Sequence, residues 1–269
     1  MNCVYCESFN LKFIETIFSN INGKTYESIY CNDCGLRYFT PMKYEDVYQT
    51  GELGYDQFHE GRSWIPEWVK EIIKYLKDSG YDVCGKSILD VGCGDGAAYL
   101  ALKESFGGDF EYLGLESDLK SVEACKKRGI DVKSIYLNED SAADLGKFDL
   151  VLCTEVLEHQ VDVKGFLNAL NTVSKGLIII TIPNYGRNLR KWRSINDIPP
   201  HHFLRFDKTF FRKNFKNLIY SKVYNFKDKK LVDSCKVFSN RFWILFLPIV
   251  LALRVADYFN GEGLLVVLK

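Results

Sequence analysis

Four cysteines offer the plainest chemistry in this chain. Cys3 and Cys6 form one C-x-x-C pair and Cys31 and Cys34 a second, with 24 residues between the pairs. Each pair makes a tight knuckle presenting two thiolates, and two knuckles complete a tetrahedral four-thiolate zinc site. Gly35, directly after Cys34, suits the turn that aims backbone N–H groups at sulfur. A second constellation is the turn Asp90-Val91-Gly92-Cys93-Gly94-Asp95-Gly96. Glycines at alternate positions let the main chain curl and let a ligand reach it without a Cβ in the way, at a helix N-terminus. Gly92, Gly94 and Ala97 also satisfy the dinucleotide pattern G-x-G-x-x-A. A diphosphate would find Asp90 an awkward neighbour, whereas a zwitterionic cofactor carrying an ammonium group is served well by it. Glu116 follows Gly96 by 20 residues, where a carboxylate can accept hydrogen bonds from both hydroxyls of a ribose. The third set is imidazole: His159, and the pair His201-His202 behind Pro199-Pro200. Histidine suits removal of a hydroxyl proton near neutral pH. His59 is read as structural or solvated.

The elements that position these residues follow from periodicity. Residues 11–17 and 25–30 read as two short strands around Asn20-Ile21-Asn22-Gly23, which makes residues 1–40 a zinc ribbon with too little apolar mass to fold without metal. Residues 41–85 form a Tyr-bearing linker, with Tyr44, Tyr48 and Tyr55, and an amphipathic helix over 64–77. From residue 86 to 269 strands and helices alternate. Strands are expected at 87–91, 110–116, 132–136, 148–153 and 177–182, with two late ones at 218–226 and 264–268. Helices are expected at 97–104, 119–128 and 163–173. Repeated β-α-β units imply a doubly wound, mostly parallel sheet, whose ligands bind at the C-terminal strand edge. An extended Pro-Pro approach would point His201 and His202 to opposite sides, with His202 facing the ligand. The five other cysteines, Cys84, Cys93, Cys125, Cys153 and Cys235, read as buried small hydrophobes.

Composition bounds the function. With 47% apolar and 26% charged residues, disorder and a disulfide miniprotein are excluded. Thirty-five basic residues balance 35 acidic ones, so no global field recruits nucleic acid. The first residues lack a basic and apolar leader, so a cytoplasmic protein is expected, with thiols serving metal rather than disulfides. Residues 186–236 are locally basic, with fourteen Lys or Arg against four acids, which suits an anionic acceptor or anionic lipid headgroups. The apolar run 242–253 is too short to span a bilayer, which takes ~20 residues. It reads as a buried helix pair, a homodimer face, or, over 241–259, a peripheral contact with the inner face of the membrane.

Asp90-Val-Gly-Cys-Gly-Asp-Gly96, Glu116, Phe148-Asp-Leu-Val151 and Glu155-Val-Leu-Glu-His159 come in an order and at spacings that resemble a class I S-adenosylmethionine (SAM)-dependent methyltransferase, over roughly residues 64–269. The resemblance implies a seven-stranded Rossmann-like sheet preceded by the ribbon. It implies that Asp90 and Gly92 flank the methionine end of SAM, that Glu116 binds the ribose and that residues 138–140 bracket the adenine. Cys93, Gly94, Gly96, Ser117 and Glu155 complete the cofactor set. The ribbon, the Tyr-rich linker and Ile198-Pro-Pro-His-His-Phe-Leu-Arg-Phe206 are similar to a bacterial subgroup that methylates nucleotide-linked sugars or surface-polysaccharide precursors. The expected activity is O-methylation of a carbohydrate acceptor, an anionic sugar or sugar nucleotide, with His202, His201 or His159 as base, SAM as cofactor and structural zinc on the four cysteines. The alternatives are an RNA methyltransferase, a quinone or lipid methyltransferase at the membrane surface, and a catalytically silent binding module. Nucleic acid is not expected, because the ribbon lacks a basic and aromatic stripe.

Overall fold

Two sheets organise the chain, which a computed structural model describes over residues 1–43, 65–185, 198–224 and 262–269. The larger sheet has seven strands: β4 (Ser87–Val91), β5 (Glu111–Leu115), β6 (Val132–Lys133), β7 (Phe148–Thr154), β8 (Ser174–Pro183), β10 (Leu218–Tyr224) and β11 (Gly263–Leu268). Their spatial order is β10-β11-β8-β7-β4-β5-β6. Strands β8, β7, β4, β5 and β6 are mutually parallel, and β11 lies antiparallel to both its neighbours. This is the α/β, doubly wound, Rossmann-like architecture expected from the alternating pattern.

The strands alternate faces, and each face has its own helices. Ile88, Leu150 and Ile179 join α1 (Glu67–Asp78) and α2 (Ala97–Phe106) in one core, while Leu89, Val151 and Ile180 join α5 (Val163–Val173) in the other. On α1 the buried Val69, Ile72, Ile73 and Leu76 follow the i, i+3, i+4, i+7 stripe that makes a helix pack on a sheet. Helix α3 (Leu119–Lys127) covers β5 and β6 through Val122 and Cys125. The third expected strand shrinks to the two residues of β6. Asn138, in the stretch that the resemblance puts at the adenine, caps α4 (Glu139–Leu145) in a reciprocal capping box with Ser141.

The smaller sheet is antiparallel, in the order β1-β2-β3-β9, from β1 (Leu11–Ser19), β2 (Lys24–Cys31), β3 (Arg37–Thr40) and β9 (Leu204–Arg205). Its fourth strand arrives from far along the chain, with Tyr38 opposite Leu204 and Arg37 opposite Arg205. The pairing is sealed by apolar burial: Leu36, Tyr38 and Phe39 share a single core cluster with Phe203, Phe206, Phe210 and Phe211, the last two from α6 (Lys208–Asn214). The linker tyrosines, His59, Trp64, the basic residues 187–193 and 227–236, Cys235 and the apolar run 242–253 lie outside the described residues, and the helix expected over 64–77 begins at Glu67. Among the described residues no helix is long and apolar enough to cross a membrane.

Candidate active site

Buried Asp90 and Glu116 end adjacent parallel strands, and the glycine turn crosses between them. Gly92 and Cys93 donate to the carbonyl of Leu115 at 2.8 and 3.0 Å, which lashes the turn to the end of β5. Gly94 N–H donates to Glu116 Oε2 at 2.9 Å, and Ser117 and Asp118 donate to Oε1 at 2.7 and 2.9 Å. Three backbone donors on one carboxylate fix its orientation while leaving part of its acceptor capacity, which is about four lone-pair sites. Burial nonetheless pushes the Glu116 carboxyl above its ordinary value.

Asp90 is only 1% exposed. Its Oδ2 accepts from the Tyr112 hydroxyl at 2.7 Å, and its Oδ1 has no hydrogen-bond partner among the described residues. Burial, only partly offset by Tyr112 and reinforced by the Glu116 charge, raises its carboxyl to about 7. A buried carboxylate with one oxygen unmatched is costly by itself and favourable once a cation faces it. Sequence reasoning misses Tyr112. The signal for it exists, because a buried strand-end Asp needs a donor and Tyr112 lies on the neighbouring strand.

The glycines divide. Gly92 (φ +71°) faces Val156, whose Cγ2 would lie 2.3 Å from any Cβ at position 92. Gly96 (φ +83°) starts α2 against Ile130, at 2.4 Å from such a Cβ. Both are therefore required by backbone conformation and packing. The side chain of Cys93 turns away from the loop: its Sγ would lie 2.6 Å from a Cβ on Gly114, so Cys93 can offer a ligand only its backbone. Ser117 is exposed beside Glu116. Glu155 sits at φ +54°, a left-handed conformation uncommon outside glycine, with its N–H bonded to Thr181 O at 2.9 Å.

The three histidines meet. His159, in the 3-10 turn Leu157–His159, has its ring centroid 4.7 Å from His201 and 4.6 Å from His202. The extended approach expected for the Pro-Pro pair does not form: His201 and His202 both donate N–H to Ile198 O, closing a turn. Their rings consequently stack at 4.5 Å and 20° rather than pointing oppositely. His202, favoured from the sequence, is the more buried of the pair at 9% exposure, and His201 is partly exposed. Burial lowers the His159 imidazole to about 4 and His201 to about 3, and holds His202 well below its ordinary value. Glu158, 2% exposed, lies between them, and Phe203 N–H to Glu158 O at 3.2 Å joins the two segments. Val156 on Gly92 brings this cluster beside the glycine turn.

At the N-terminus, Cys3 and Cys34 sulfurs are 3.6 Å apart, as are those of Cys6 and Cys31, and all four lie within 4.8 Å of one another. Four sulfurs bound at ~2.3 Å around one zinc would be ~3.8 Å apart, so the donor set fits that ion. Leu36 N–H donates to Cys34 Sγ at 3.4 Å, the outer contact expected of a thiolate knuckle. A cleft of about 270 Å³ between α1 and the β10–β11 edge, lined by Glu71, Lys74, Tyr75, Asp78, Tyr220 and Lys222, involves none of these groups.

With this geometry established, comparison with known proteins is specific. Residues 61–218 match a family described as "Methyltransferase domain". A ubiquinone biosynthesis O-methyltransferase from Methylococcus capsulatus is 27% identical over 158 residues, covering 55% of this chain and 66% of that protein. The protein of the same name from Escherichia coli O157:H7 is 28% identical over 127 residues, covering 45% and 51%. The chain thus spans between half and two thirds of these relatives. Among solved structures, a SAM-dependent methyltransferase from Archaeoglobus fulgidus superposes with a TM-score of 0.53 at 14% identity, covering 83% of this chain and all (100%) of that one. Coclaurine N-methyltransferase, solved with N-methylheliamine and SAH, gives 0.52 at 14% identity, covering 78% and 74%.

Proposed function

The chain belongs to the methyltransferase-domain family, and on that premise we propose that it is a SAM-dependent O-methyltransferase of a small-molecule acceptor. The observation that carries this reading is Asp90, a buried carboxylate whose Oδ1 is unmatched at the end of β4. A SAM ammonium group would supply the missing partner. Glu116 would accept the ribose hydroxyls with the capacity left by its three backbone donors, and the backbone of Gly92 to Gly94 would pass close under the cofactor. SAM, when bound, supplies a methyl group already activated on a sulfonium. The protein's remaining tasks are therefore to align an acceptor and to receive its proton. The imidazoles of His159, His201 and His202, next to the glycine turn through Val156, are the groups for both. The greater exposure of His201 favours it over His202 as the one meeting the acceptor.

For the acceptor we favour a phenolic or quinol hydroxyl over the carbohydrate expected from the sequence, because the ubiquinone O-methyltransferases lend it support at 27–28% identity. An anionic sugar remains the second reading, favoured by the basic composition of residues 186–236. The cysteine cluster is proposed as a structural zinc site, on the fit of its sulfur spacing.

Calorimetry tests the cofactor site. Glu116→Ala should weaken SAM binding ~100-fold, equivalent to ~2–3 kcal/mol. Because Glu116 also holds three backbone N–H groups, Glu116→Gln is the companion variant: its amide oxygen keeps the Ser117 and Asp118 bonds. Unchanged affinity in both variants would refute this cofactor site. Offering quinols and sugar nucleotides in parallel and reading the methyl mass shift decides the acceptor class.

A further inference from the structure

Three imidazoles and a carboxylate converge where the Leu157–His159 turn meets residues 198–203. One nitrogen of each histidine lies within 4.8 Å of the others. Glu158 Oε1 is 3.9 Å from His159 Nε2 and 3.9 Å from His202 Nε2. These separations are too long for hydrogen bonds, which end near ~3.2 Å. Donors bound at ~2.0–2.1 Å around a tetrahedral ion lie ~3.3 Å apart, so the carboxylate would close in by ~0.6 Å and the imidazole nitrogens by up to ~1.5 Å on binding.

The orientation of His159 has a second cause. Its Nδ1 is 2.8 Å from the carbonyl oxygen of His201, an atom that can only accept. The ring also bonds the backbone of Glu155, and with an ion on Nε2 the hydrogen would sit on Nδ1, directed at the His201 carbonyl. An outer carbonyl fixing the tautomer of a histidine in this way is the usual companion of a metal-ligating imidazole.

We propose that His159, His201 and His202, with Glu158 as a fourth donor, form a second metal site for a borderline divalent transition ion such as Zn2+, Fe2+ or Co2+. Imidazole nitrogen selects this class over Mg2+ and Ca2+, which take oxygen, while the thiolate cluster takes the softer end of the range. The Glu158 carboxylate offsets part of the ion's charge, and Arg205, whose guanidinium lies over Phe39 and Tyr185, sets an opposing positive charge near His202. The site itself does not depend on the methyltransferase reading. Its role does: beside the methyl donor, an ion would polarise an acceptor hydroxyl and ease loss of its proton, taking over the task of the imidazoles that hold it.

Cobalt distinguishes the two clusters in one experiment. The full chain, stripped of metal and titrated with Co2+, should take up two ions, one with thiolate-to-cobalt charge-transfer absorption and one without. His159→Asn and, as the milder change, His201→Gln should each abolish only the second, leaving the thiolate absorption intact. A wild-type chain that binds no ion lacking thiolate absorption overturns the proposal, and so does retention of that ion in both variants. The wild-type count decides even where a variant fails to fold. SAM calorimetry on the same samples separates the two readings: two ions with no SAM binding would leave this site standing and remove the methyltransferase reading.

Discussion

The molecule carries two donor clusters built on opposite plans. The cysteine cluster comes from two local knuckles, each spanning four residues, and its spacing is a property of those knuckles. The histidine cluster comes from a 3-10 turn after β7 and a turn after β8, brought together by the parallel sheet and tied by the Phe203 to Glu158 and His159 to His201 bonds. Their chemistry differs as much as their assembly. Four thiolates in contact would repel one another and need a cation, so the proposed zinc and the segment that holds it would form one folding unit. Three neutral imidazoles do not repel, so the second cluster can hold its shape through packing alone. Metal should therefore be structural at one end and separable from the fold at the other.

The largest test of that contrast is loss of zinc. Structural zinc contributes ~10–16 kcal/mol in isolated finger peptides, so Cys31→Ser or chelation should unfold the ribbon sheet outright. Because β9 pairs with β3 and Phe203 to Phe211 share the ribbon's core, protection from hydrogen exchange should also fall across residues 203–211. Loss confined to residues 1–40 would mean that the shared core contributes little. Protein purified without chelators that contains no zinc would remove the ribbon's side of the comparison.

The next effect is smaller and kinetic. His201→Ala should lower turnover ~10²–10⁴-fold with SAM affinity nearly unchanged and circular dichroism intact. His202→Ala should act less through chemistry and more through stability, because His202 is buried. If neither changes turnover beyond a few fold, the acceptor is handled elsewhere and the imidazoles only join two segments.

The smallest effect concerns Asp90. Its carboxyl is raised to about 7 in the free protein, and an ammonium partner would lower it. SAM affinity should therefore be flat above pH 7 and fall ~tenfold per unit below it, as the free site takes up the proton that binding expels. By the same linkage the ligand-free fold, which holds that proton more tightly than the unfolded chain, loses stability as pH rises from about 4 to 7. Asp90→Asn should flatten the affinity profile, and a slope that survives the substitution would assign it to another group.

Much of this is legible in the chain itself. The C-x-x-C pairs, the alternation of strands and helices, the glycine turn and the strand-end carboxylates are local patterns, because a knuckle, a turn or an amphipathic stripe is decided by neighbours in sequence. Gly92 and Gly96 are readable as positive-φ positions on the same ground, and so is the existence of α5. What local pattern could not reach is which distant segments touch. The two-residue strand β9 has no periodicity of its own and becomes a strand only because β3 offers it an edge. His201 and His202 read as extended behind two prolines, yet hydrogen bonds to Ile198 curl them into a turn and stack their rings. Val156 over Gly92, Tyr112 on Asp90 and Glu158 among the imidazoles are likewise contacts between strands or loops far apart in sequence. Periodicity determined the elements and the chemistry available to them, whereas sheet order and long-range burial decided which of those groups meet, because such contacts gain their free energy only once the whole core has closed.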